Sequence, residues 1–176
     1  MKTHRLTFHP AFAPGKVAAV TVRWGRVAGG RVMLRFRIDD CQQVRVPAPE
    51  GPGRADELWK TTCFELFLAG EGGRYREFNF SPSGQWAAYR FAGYRNGAGN
   101  FDPASPPEIA LDSGASVLTF TVFLDERELE GATHASLAAV IEEAGGRISY
   151  WADRHPGLKP DFHNPACFVL PLPASG

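Results

Sequence analysis

The chain reads as an all-β domain, an antiparallel β-sandwich of the jelly-roll or immunoglobulin-like kind. Three observations lead there: apolar residues recur at a period of two, helical periodicity is thin, and Gly, Pro and Asn clusters cut the chain into short runs. In Arg31–Ile38, Val32, Leu34, Phe36 and Ile38 alternate with Arg31, Arg35 and Arg37, the pattern of a strand with one face in a core. Val20, Val22 and Trp24 repeat it one strand earlier, and Gly29-Gly30 is a hairpin signal between the two. Thr62–Leu68 is a further strand, with Phe64, Leu66 and Leu68 on one face and Cys63, Glu65 and Phe67 on the other. Tyr75–Phe80 and Gln85–Phe91 follow, joined by the tight turn Ser81-Pro82-Ser83-Gly84. Val117–Leu124 and Arg147–Trp151 complete the strands. Asp125–Leu129 allows one helical turn. Ser136–Ala144 reads as helix or strand: Leu137, Val140 and Ile141 suit the first, and the branched Val140-Ile141 pair suits the second. Asp39–Asp56 and Gly93–Pro107 read as irregular. With no repeat and no shift in composition, residues 1–176 form a single domain.

Composition narrows the function. At 44% hydrophobic, 12% aromatic and 22% charged, the 176 residues are those of a globular protein. Nineteen basic and nineteen acidic side chains cancel, which argues against nucleic acid or an anionic membrane as a partner chosen by bulk charge. No apolar run reaches the ~18 residues a membrane span needs. Cys41, Cys63 and Cys167 are too scattered for a disulfide framework or a CxxC metal site. The opening MKTHRLTFHPAFAPGKV holds no signal-peptide core, so a cytoplasmic location with reduced thiols is the expectation.

The segment Leu58–Trp86 carries the chemistry. With Phe64, Phe78 and Phe80 in the core, Glu65, Glu77 and Asn79, together with Arg90, fall on the opposite face. Carboxylate, amide and guanidinium groups beside tryptophans suit a small polyhydroxylated ligand, whose ring stacks on an aromatic while forked polar groups take its hydroxyls. The alternative is a buried Arg–Glu network tying two sheets together.

Trp59, Glu65 six residues on, the strand Phe64–Leu68 and the run Glu77-Phe78-Asn79-Phe80-Ser81-Pro82-Ser83-Gly84 resemble family 9 carbohydrate-binding modules and their DOMON-like relatives. The resemblance is nearest to bacterial DOMON-like type 9 carbohydrate-binding module proteins. It runs from about Val17 to Leu170 and includes Tyr150-Trp151-Ala152 and Lys159–His163. It implies a β-sandwich that binds without reacting. In the sugar-binding members two tryptophans enclose a terminal sugar; Trp59 falls on the first, Glu65 on its partner carboxylate, and Trp151 is the candidate for the second. Arg76, Glu77 and Asn79 are implied polar contacts. Trp86, Arg90, His155, Lys159, Asp161 and His163 are further candidates, Trp86 with a core position as its alternative and the last four as parts of a ligand-closing loop. The resemblance requires no cofactor; it allows a structural calcium, for which Asp39-Asp40, Asp56-Glu57 and Asp102 could supply oxygens, with solvated acidic turns as the alternative. With neither a secretion signal nor an attached enzyme in the sequence, a soluble saccharide or small polar metabolite is the expected partner.

Rival readings remain at this stage. Exposed aromatics could form a protein–protein or homodimer surface. Some DOMON relatives hold haem; the methionines here are Met1 and Met33, the second on the polar side of its strand, and no pair of axial ligands is visible. Glu65 and Glu77 could act as the acid/base pair of a glycosidase. His155, Asp161 and His163 could ligate a transition metal, though their spacing matches no known ligand pattern. No nucleophile elbow, zinc-protease helix or phosphate-binding glycine loop is present.

Overall fold

The computed structural model describes residues 1–97 and 99–174. The strands are β1 (Lys2–Phe8), β2 (Ala19–Val27), β3 (Arg31–Asp39), β4 (Gly53–Arg54), β5 (Cys63–Ala69), β6 (Tyr75–Phe80), β7 (Gln85–Phe91), β8 (Gly99–Asn100), β9 (Glu108–Ser113), β10 (Val117–Asp125), β11 (His134–Glu143), β12 (Arg147–Ala152) and β13 (Leu170–Pro171). They form one curled, mixed sheet in the order β4-β7-β6-β5-β11-β12-β1-β2-β3-β10-β9, with β8 on β7 and β13 on β11. Every pairing is antiparallel except that of β4 with β7.

β1 closes the curl. Lys2–Leu6 pair with β2, whereas Thr7 and Phe8 pair with β12, so one strand passes the chain from one half of the sheet to the other. The two halves face each other across a single core. Phe64 of β5 stacks on Phe120 of β10 at 4.3 Å between ring centroids, and lies 4.8 Å from Phe36 of β3. Ala28, Gly29 and Gly30 turn β2 into β3 between the paired Val27 and Arg31, and the two glycines take the left-handed φ values of 80° and 67° that other residues rarely adopt.

Ser136–Ala144 is strand, not helix. β11 is buried on both faces along most of its length, so neither a period of two nor one of 3.6 shows in its sequence. β1 and β9 carry no alternation either: only Leu6 of β1 is buried, and β9 is an exposed edge. Glu143, itself buried, ties the 9–18 connection to β11: its carboxylate accepts the backbone N–H groups of Gly15 and Lys16 at 2.6 Å and of Val17 at 3.2 Å.

The Arg–Glu tie between the halves exists, but it is not built on Glu65 or Glu77. Arg76 emerges at the core end of β6 and reaches Glu128, in the turn after β10, donating to its carbonyl at 2.8 Å and to its carboxylate at 3.4 Å. Glu128 in turn accepts the Ala104 N–H at 2.6 Å.

Candidate ligand-binding site

Alternation along β5, β6, β7 and β12 brings one set of side chains to the sheet face opposite the core. Glu65 stands across from Asn79, and Glu77 stands across from both Phe67 and Tyr89. Glu65 and Glu77 are therefore diagonal neighbours, on backbones roughly 7–8 Å apart. Tyr150 of β12 stands across from Val140 of β11 on the same face. Phe12, the turn bearing Trp59 and the segment 159–163 rise around this floor and enclose a cavity of about 690 Å³.

Trp59 reaches the cavity because the chain turns sharply before it. Glu57 adopts a left-handed backbone (φ 60°), starting a single 3₁₀ turn over Leu58–Lys60. That turn buries Leu58 against Cys63 and Ala87 and leaves Trp59 49% exposed at the mouth of the cavity. A left-handed glutamate costs about 1 kcal/mol, tolerated only where surrounding contacts fix the turn.

A relay of hydrogen bonds shapes one wall. Asp161 accepts from the Tyr94 hydroxyl at 2.5 Å and from Arg95 Nη2 at 2.8 Å. The Arg95 N–H donates to the Tyr75 hydroxyl at 3.1 Å, leaving that hydroxyl's own proton for His163 Nδ1 at 2.8 Å. The remaining His163 proton then sits on Nε2, 3.6 Å from a Glu77 carboxylate oxygen. Burial drives the His163 pKa down to about 4, helped by Arg95 and opposed by Asp161, so the ring is neutral at ordinary pH.

The floor behaves in the opposite sense. Burial, reinforced by Glu77, holds the Glu65 pKa well above the carboxylate range. Burial raises Glu77 to about 7, while Arg95 pulls it back. Among the described residues Glu65 has no hydrogen-bond or ionic partner, and both amide atoms of Asn79 are buried without one. Two carboxyls buried side by side keep a proton between them at neutral pH.

Of the sequence candidates, Trp59, Glu65, Glu77, Lys159, Asp161 and His163 line the cavity, and Asn79 stands beside Glu65 under it. The others go elsewhere. Trp151 is a correction: 2% exposed, it faces the core, with its Nε1 donating to Ser149 Oγ at 2.8 Å, and cannot stack on a ligand here. Arg76 is a second, spent on Glu128 at the core edge, and Arg90, directly opposite it, shares that side of the sheet. Trp86 takes its alternative, a core position, under the Arg54 guanidinium at 5.7 Å. His155 ties its loop to β1 through the Thr7 carbonyl at 2.8 Å and does not line the cavity.

Tyr89, Tyr150 and Arg95 were not singled out from the sequence. Tyr89 and Tyr150 are one residue from Arg90 and Trp151, so strict alternation from Glu77 and Val140 identifies them. Arg95 lies in an irregular loop and gives no periodic signal.

The acidic residues named for calcium do not gather into a donor set. Asp39 pairs with Arg37 at 2.8 Å, Asp56 accepts the Tyr89 hydroxyl at 2.6 Å, and Asp102 is exposed. Among the described residues no three His, Cys, Asp or Glu side chains converge as a metal centre requires.

No protein-family model matches the chain. No curated protein matches it either. A solved structure from Bacteroides uniformis ATCC 8492, named a "putative carbohydrate-binding protein", shares the fold: TM-score 0.68 over 95% of this chain and 84% of that one, at 16% identity.

Proposed function

We propose that this chain is a non-catalytic binding module for a carbohydrate or a similar polyhydroxylated small molecule, akin to the DOMON-like type 9 carbohydrate-binding modules. The observation that carries this reading is the cavity on the outer sheet face, where a half-exposed Trp59 overlooks buried Glu65 and Glu77, with Asn79 beneath them. The ring of a sugar has an apolar face for Trp59, and its hydroxyls donate and accept, as the partly protonated carboxyls and the amide of the floor require. Tyr89 and Tyr150 supply the aromatic walls in place of Trp151. The name carried by the Bacteroides uniformis neighbour points the same way. A reducing, cytoplasmic setting belongs to the same proposal, with three free and buried cysteines in keeping with it. No metal and no turnover enter into it.

Titration calorimetry with soluble mono- and oligosaccharides tests the assignment of Trp59. Trp59→Ala is expected to cost about 1–3 kcal/mol of binding, a tenfold to hundredfold loss. Because the ring is half in water, the melting temperature should barely move. Unchanged affinity in the variant would remove Trp59 from the site.

A further inference from the structure

The floor of the cavity is built from acceptors. Glu65 and Glu77 are 3% and 6% exposed, and Asn79 is fully buried. The cations nearby are committed or distant from them: Arg95 is held by Asp161, and Lys159 sits among the exposed residues of the rim. His163 offers Glu77 only a neutral N–H at 3.6 Å. Two buried carboxyls without a cation are a costly arrangement, relieved in the free protein by keeping a proton.

We propose that Glu65 and Glu77, with the buried Asn79 behind them, form an ammonium subsite for the protonated primary amine of an amino sugar whose ring lies against Trp59. The inference rests on the saccharide reading and narrows it. An ammonium group has three donors and no acceptor, matching the acceptor oxygens of two carboxylates, whereas a hydroxyl in the same place would match only part of the set. Its charge allows both carboxylates to ionise, so the charge-assisted hydrogen bonds replace the retained proton. Walls of Tyr89, Phe91 and Tyr150 favour a cation over an anion, since aromatic faces carry negative potential. The other charged or titratable groups around the pair are Cys63 on β5, Tyr75 on β6, Tyr89 on β7, Tyr150 on β12, Arg95 beyond β7, and Lys159, Asp161 and His163 on the covering loop. Of these only Arg95 and Lys159 are cationic; Arg95 is paired with Asp161 and only partly offsets the effect of burial on Glu77.

Binding then expels the proton that the pair retained. Titration calorimetry at about pH 7, in two buffers of different ionisation enthalpy, compares matched pairs: glucosamine with glucose, galactosamine with galactose, and a deacetylated chitosan disaccharide with cellobiose. N-acetylated forms and ethanolamine complete the panel. The amine member of one pair is expected to bind about tenfold tighter or better, with release of roughly half to one proton. N-acetylation should remove the advantage, and Glu65→Gln should bring the amine-to-neutral affinity ratio close to one. Glu77→Gln provides the same reading if the first variant does not fold. Equal affinities within a pair, without proton release, overturn the ammonium subsite and leave the saccharide reading standing. No binding by any sugar or amine overturns both. Ethanolamine bound with proton release, and no sugar bound, keeps the subsite and removes the saccharide.

Discussion

Phe64→Ala should lower the unfolding free energy by about 3–5 kcal/mol, the range for deleting a fully buried ring from a core that cannot collapse around it. Phe64 is 0% exposed, and it is the ring through which β5 of one half meets both β10 and β3 of the other. Its removal empties the centre of the aromatic contact between the halves, where the backbones on both sides are held by their sheet hydrogen bonds. A domain of this size has roughly 5–15 kcal/mol in total, so the variant should fold marginally. Phe64→Leu, keeping most of the volume, should cost far less. Urea unfolding of both variants provides the measurement. A loss below about 1 kcal/mol for Phe64→Ala would contradict the face-to-face packing of the two halves.

Glu77→Gln should stabilise the protein at alkaline pH, which is unusual for the removal of a charge. The Glu77 pKa in the folded protein is about 7 against an ordinary 4.5. A raised carboxyl pKa means the fold binds that proton more tightly than the unfolded chain does. The associated stability is complete below about pH 4.5 and is lost as pH climbs through about 7. At 1.36 kcal/mol per pH unit, a shift of this size is worth about 3 kcal/mol, shared with Glu65 because the two titrate together. His163 acts in the other direction: its pKa falls to about 4 from 6.5, so its contribution is complete above pH 6.5 and is lost as pH falls toward 4. Between those limits the two slopes oppose each other, and above pH 6.5 the carboxyls act alone. In the parent the two slopes therefore nearly cancel between about pH 4.5 and 6.5 and a smaller loss follows up to pH 8, whereas Glu77→Gln keeps the His163 gain alone. The variant should exceed the parent by about 2–3 kcal/mol at pH 8 and by almost nothing near pH 4.5. Thermal or urea unfolding across this range reads the difference. An identical pH slope in parent and variant would mean that Glu77 is not a buried, proton-retaining group.

Much of the scaffold was legible because one-sided burial writes itself into alternate residues. Val32, Leu34, Phe36 and Ile38 announce β3, and Phe64, Leu66 and Leu68 announce β5, because the other face of each strand bears different chemistry. β11 hid for the opposite reason: both its faces are buried, one by the core and one by the covering loop, and an apolar run has no phase. The chain crossing at β1 was invisible too, since it is set by pairing with β12 and β2 and not by its own composition.

In the site, the same alternation that placed Glu65, Glu77 and Asn79 together also separates them from Arg76 and Arg90. A strand cannot present two adjacent residues to one face, so naming Arg76 with Glu77 broke the rule that located the rest. Trp151 drew attention as a tryptophan, yet its neighbour Tyr150 has the phase that reaches the cavity. Arg95 and the Asp161–Tyr94 contact depend on two loops meeting, which no local pattern encodes.

Tryptophan emission provides the most direct test of the central claim, that the Trp59 cavity takes a polyhydroxylated ligand. Trp24, Trp86 and Trp151 are buried, at 4%, 8% and 2% exposure, so a ligand-dependent change in the solvent-exposed, red-shifted part of the spectrum belongs to Trp59. Titration with soluble mono- and oligosaccharides, amino sugars included, should give a saturable blue shift for at least one of them, absent in Trp59→Phe. A flat spectrum across the panel, from protein whose unfolding remains cooperative, would contradict the claim and leave the exposed aromatic rim as a surface for another protein.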